Sequence, residues 1–204
     1  GMDTKHNPEF TTVELYEAYA DFHDMMDLAE ELLSSAALEL VGTYQLEWQG
    51  ERLDLTPGWP RLTMAEVVKQ HVGVDFMSIS DDGEAVAAAR AAGVDMDGVE
   101  PTWGNALFEC FDQRVESKIV QPTFITMHPV DVSPLAKSCP HDPRFTERFE
   151  LFICRSEMAN AFSELNDPID QKERFRRQAD LRARGDEEAG MMDLDYINAL
   201  EYGM

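Results

Sequence analysis

The sequence predicts an α+β fold, and three observations carry that prediction. Residues 21–41, DFHDMMDLAEELLSSAALELV, place apolar side chains at helical spacing. YQLEW (44–48) and RLDL (52–55) are short alternating runs separated by QGE, the pattern of a hairpin. Residues 147–154 and 157–165 alternate as two adjacent antiparallel strands turning at Arg155-Ser156.

The elements follow in chain order. Residues 1–10 hold Gly, Asn and Pro and read as a loop. Residues 11–20, TTVELYEAYA, read as a strand with Glu14 and Tyr16 on one face. Asp21 or Asp24 opens the following helix. Pro57, Gly58 and Pro60 end the hairpin. Thr63 with Glu66 three residues later is a capping-box signature for a short helix. EAVAAARAAG (84–93) is helical up to Gly93, and residues 102–118 form another amphipathic helix. Residues 57–118 therefore read as a helical insertion, acidic over 75–101, between two parts of a main domain, 1–56 and 119–204. IVQPTFITMHP (119–129) returns to strand character, with Pro122 limiting it to an edge or a bulge. Residues 130–146 form a loop. Pro168 at the favoured first helical position begins a helix that reaches about Arg184 and stops at Gly185. Residues 193–202 form a last short helix.

Composition bounds the function. A chain of 204 residues can bury a sizeable core. No apolar run approaches the roughly 18 residues of a membrane span, and no secretory leader pattern opens the chain. Cys110, Cys139 and Cys154 are odd in number and widely spaced, which fits free thiols in a reducing cytoplasm. A net charge of −23 opposes strong nucleic-acid binding by this chain, because affinity for phosphate backbones rests on cations. The six basic residues between Lys172 and Arg184 read as a solvated helix face or a local phosphate contact.

Two constellations carry possible chemistry. Asn160, Phe162 and Glu164 fall at every second position, so one strand face holds an amide, a ring and a carboxylate. With Glu14 and Tyr16 they suit an ammonium ligand, although a half-solvated strand gives the same pattern. Glu150 lies on the opposite strand face from Phe149, Leu151 and Ile153, and Glu157 starts the next strand near Asn160. These oxygen donors suit Mg²⁺ alongside substrate phosphates, or are solvated glutamates on a strand edge. His6 and Asn7 could contact a nucleotide or cap a turn. His71, His128 and His141 have no metal-site spacing, and no P-loop, Rossmann fingerprint or nucleophile elbow occurs.

HNPEFTTVELYEAYADF (6–22), HPVDVSPLAK (128–137), TERFELFI (146–153), NAFSELNDPIDQKERFRRQ (160–178) and GDEEA…DYINALEYGM (185–204) together resemble the bacterial-type class II lysyl-tRNA synthetases. The resemblance spans essentially the whole chain. It implies a class II antiparallel sheet flanked by helices, with residues 57–118 as the insertion between the second and third signature motifs. It also implies activation of lysine with ATP and transfer to tRNA(Lys), in a cytoplasmic homodimer. By resemblance, Glu14, Tyr16, Asn160, Phe162 and Glu164 line the lysine pocket. His6, Asn7, Phe10 and Glu150 meet ATP, with Phe10 stacking on adenine. Glu150 and Glu157 hold Mg²⁺. The first motif, the motif 2 arginine and motif 3 have no counterpart in this sequence. The expectation is an incomplete catalytic sheet, inactive alone, with a lysine-binding or protein-interaction module as the alternative.

Overall fold

The structure, a computed structural model, describes residues 7–185 and 189–203. Asp21 caps the first helix, α1 (Phe22–Val41), and the Asp24 side chain closes a reciprocal capping box. Gly42, with a left-handed φ of 80°, ends it. The hairpin strands β1 (Gln45–Trp48) and β2 (Glu51–Asp54) follow, turned at Gln49-Gly50, where both residues have positive φ. Next come β3 (Arg61–Thr63), α2 (Met64–Val72), α3 (Asp82–Ala91) and α4 (Trp103–Arg114). The capping box joining Thr63 and Glu66 opens α2 as the sequence predicts. The helix expected over 102–118 breaks at Arg114, and a 3₁₀ turn covers Glu116–Lys118. The remaining elements are β4 (Thr123–Thr126), β5 (Arg148–Ile153), β6 (Ser156–Phe162), α5 (Pro168–Ala183) and α6 (Leu194–Tyr202).

Strands β3, β4, β5 and β6 form one sheet in that order. The β4–β5 and β5–β6 pairings are antiparallel, whereas β3 joins β4 in parallel, so the sheet is mixed. Strand β4 is interior, not an edge as Pro122 suggests. The proline sits just before the first paired residue, where its missing N–H costs no ladder bond.

Both sheet faces are covered. Phe124, Phe149, Leu151 and Ile153 pack with Phe22 and Met26 of α1 and Leu53 of the hairpin. On the other face Ile125 and Phe152 pack with Val67 and Val68 of α2, and with Leu107 and Phe111 of α4. The 57–118 stretch thus contributes β3 to the sheet and packs its helices on one sheet face. Trp103 of α4 meets Phe76 and Phe145 edge-on, with the Arg144 guanidinium 4.5 Å above its ring. At Gly104 a Cβ would fall 2.0 Å from Asp131 Oδ2, so only glycine permits this approach.

Residues 11–20 are not a strand. They have no strand pairing among the described residues and turn at Ala18-Tyr19, and Val13, Leu15, Tyr16 and Tyr19 are exposed. Alternation alone does not make a strand, because its N–H and C=O groups need a neighbouring ladder.

Arg174 ties helix α5 to the 133–138 loop. Arg174 is 5% exposed. It donates to the Ser133 and Ala136 carbonyls at 3.0 and 2.7 Å and to Ser138 Oγ at 2.8 Å. Its fork also grips Asp170, one turn earlier. Gln171 Nε2 adds a bond to the Pro134 carbonyl. Removing the guanidinium takes the donor from the buried Ala136 carbonyl and leaves the Ser133 carbonyl only the Ala136 N–H at 3.3 Å, so Arg174→Ala is expected to lower unfolding free energy by about 3–5 kcal/mol. Urea melts at unchanged slope would read this. A cost under about 1 kcal/mol would show that Arg174 does not hold the 133–138 loop.

Candidate active site

The two-residue turn at Cys154-Arg155, with φ of 52° and 62°, sets the register of β5 and β6. Glu150 pairs with Asn160, Arg148 with Phe162 and Phe152 with Glu157. Paired residues share a sheet face. One face therefore carries Arg148, Glu150, Glu157, Asn160 and Phe162. Strict alternation would put Glu157 and Asn160, three residues apart, on opposite faces. A register shift between Leu151 and Phe152 leaves Met158 without a partner and restores them to the same face.

Arg148 joins these groups. Its Nη2 lies 2.7 Å from Glu150 Oε1, and its Nε donates to Asn160 Oδ1 at 3.1 Å. Glu150 is buried, whereas Glu157 and Asn160 are exposed. Burial pushes the Glu150 carboxyl up to about 7. Arg148 opposes that rise, and Glu157 and Glu116 add to it. Glu116, on the 3₁₀ turn after α4, thus joins Glu150 and Glu157 in one negative region. Nothing in its local sequence marks it. His128 is fully buried and bonds Ile125 O through Nε2. Burial, then the nearby Arg148 charge, drives its pKa down to about 3, so the imidazole is neutral at pH 7.

Glu164 lies past the end of β6, where it bridges Ala136 in antiparallel fashion. Burial raises its carboxyl pKa. The Tyr196 phenol of α6 is also raised, first by burial and then by Glu164 and Tyr16. Tyr16 and Glu164 are thus brought to one neighbourhood around Tyr196, a residue the sequence alone did not single out. Asn7, Phe10 and Glu14 lie in the 7–20 segment and are exposed. His6 lies outside the described residues.

A family model described as tRNA synthetases class II (D, K and N) matches residues 1–204. The chain belongs to this family. It is 55% identical over 206 residues to a lysine–tRNA ligase of Pelotomaculum thermopropionicum. Relatives of the same name from Staphylococcus haemolyticus and Syntrophomonas wolfei are 53% identical over 204 residues. All of this chain is covered in each comparison, but it spans only 40–41% of these relatives' length. Among the described residues no helix is long and apolar enough to cross a membrane.

The family's lysine–tRNA ligases imply a Mg²⁺-dependent reaction with ATP, and the carboxylates of this face fit such an ion. Glu150 and Glu157 repel each other across one hydrogen-bonded pair of strands, and a divalent cation would relieve that repulsion. Two protein carboxylates, with phosphate and water completing the shell, suit Mg²⁺. Among the described residues no group of three or more His, Cys, Asp or Glu forms a self-sufficient metal cage.

The raised Glu150 pKa fixes the sign of a pH effect. The native carboxyl keeps its proton between about 4.5 and 7, where the unfolded one has lost it. This group's contribution to stability is therefore full below about 4.5 and is lost as pH rises through about 7. Glu150→Gln should flatten the stability profile in that window relative to the parent chain. Mg²⁺ with a nucleoside triphosphate should raise the parent's melting midpoint more at pH 8 than at pH 5.5. An equal rise at both pH values would remove Glu150 from the ion's ligands.

Proposed function

We propose that this chain is the lysine- and ATP-facing part of a lysine–tRNA ligase's catalytic unit. The observation that carries this reading is the single sheet face joining Glu150, Glu157, Asn160 and Phe162, continued by Glu164. In this reading Glu164 meets the lysine side-chain ammonium, with Tyr16 and Tyr196 beside it, and Glu14 adds negative charge. Asn160 and Phe162 line the wall of the same pocket. Asn7, Phe10 and His6 belong to the segment that closes over ATP, with Phe10 stacking on adenine. Glu150 and Glu157 would hold Mg²⁺, which supplies charge neutralisation for the phosphates of ATP.

The reaction is attack of the lysine carboxylate on the α-phosphorus of ATP. The bond to the pyrophosphate oxygen breaks, giving lysyl-adenylate and pyrophosphate. The lysyl group then passes to the 3′ end of tRNA(Lys), which the −23 charge of this chain keeps from binding strongly here. The work is cytoplasmic and, by family, carried out by a homodimer. The part these residues play in chemistry is to orient lysine and to balance charge.

Calorimetric titration of the chain with lysine, arginine, ornithine and norleucine tests the reading. A pocket built around one ammonium should favour lysine over norleucine by about 10⁴. Glu164→Gln should weaken lysine binding about 10- to 100-fold and leave norleucine unchanged. Equal affinity for lysine and norleucine would end the assignment of Glu164.

A further inference from the structure

We propose that Arg148 is the positioning residue of this site: one guanidinium sets the orientation of both the phosphate-side carboxylate and the lysine-side amide. The inference rests on the reading above for what those two groups bind. Its geometry stands without that reading.

The Arg148 side chain is 14% exposed, and its fork is nearly saturated. Nη1 donates to the Val132 carbonyl at 2.7 Å and to Ser133 Oγ at 2.9 Å. These two bonds anchor the guanidinium from outside the sheet. The anchor is itself held, because the Ser133 carbonyl accepts from the buried Arg174 of α5. With one edge fixed, the planar fork has no freedom left. Its Nη2 then takes Glu150 Oε1, and its Nε takes Asn160 Oδ1.

Each bond decides which atom faces a ligand. Asn160 spends its oxygen on Arg148, so its NH₂ is the end left to a ligand. That end donates, so it recognises an acceptor such as a carboxylate or carbonyl oxygen. Glu150 spends Oε1, which leaves Oε2 for a cation. A lysine at position 148 could not reproduce this. Its ammonium is a point charge, without the coplanar donors needed to reach Val132, Glu150 and Asn160 together. Arg148 needs no contact with either substrate to matter to both.

Two arms test the proposal on the full chain. The first needs no ligand and follows exchange of the Arg148 Nε–H by NMR. It should be slow in the parent chain and fast in Asn160→Ala. Fast exchange in the parent overturns the proposal. The second arm measures binding of lysine and of Mg²⁺ with a non-hydrolysable ATP analogue. Arg148→Lys should weaken both by about 10- to 100-fold, the loss typical of groups that orient ligating residues. Ser133→Ala removes one anchor bond and keeps the charge, so it should weaken both to a smaller extent, with a smaller loss of melting midpoint than Arg148→Lys. It also serves if Arg148→Lys does not fold. Loss of affinity for only one ligand, or for neither, overturns the coupling. A parent chain that binds neither ligand overturns the lysine–tRNA ligase reading instead, and the exchange arm then decides the Arg148 geometry by itself.

Discussion

Strand β5 is covered on both faces, by α1 and the hairpin on one side and by α2 and α4 on the other. A charge placed in such a strand has little water to solvate it and must be met by protein. Glu150 meets this demand through Arg148, and Arg148 through the 132–133 backbone and Asn160. The site's polar geometry is the consequence of that one constraint. An ion pair held this way is poor evidence of stabilisation, since desolvation offsets most of the attraction. What it provides is a fixed direction for each remaining oxygen and N–H.

The same logic reaches outward to α5. Arg174 satisfies the carbonyls of Ser133 and Ala136 and the hydroxyl of Ser138. That loop runs beside the end of β6: Lys137 N–H donates to Ser163 O, Leu165 N–H to Leu135 O, and Ala136 bridges Glu164. One buried arginine therefore stands behind both the Arg148 anchor and the backbone that presents Glu164. Among the described residues the ion pairs of the neighbouring Arg176, Arg177 and Arg184, with Glu173 or Glu100, lie at the surface and contribute little. A run that reads as one basic face thus splits into a structural residue and a solvated set.

Much of the architecture was legible because its signals are local. The Asp21 start of α1, the Thr63 capping box and Pro168 at the start of α5 each act within one helical turn. The placement of Glu150 opposite Phe149, Leu151 and Ile153 follows from the two-residue period of a strand. The family resemblance also lay in the sequence, carried by long mixed runs such as NAFSELNDPIDQKERFRRQ, and the 204-residue match agrees with it.

Other features required distant partners and were not legible. The 11–20 alternation reads as a strand, yet its ladder depends on a neighbour that no local pattern specifies. The shift at Met158 comes from how β6 pairs with β5, and it alone puts Glu157 beside Glu150 and Asn160. Arg148, Arg174 and Tyr196 gain their meaning from contacts across the fold, because a side chain's burial and hydrogen-bond partners are properties of packing. The sequence by itself determined most of the helices, the β1–β2 hairpin, the family and the two rows of candidate side chains. Only the tertiary structure decided which rows share a face and which charges lose their water, since both depend on strand register and on the layers that cover the sheet.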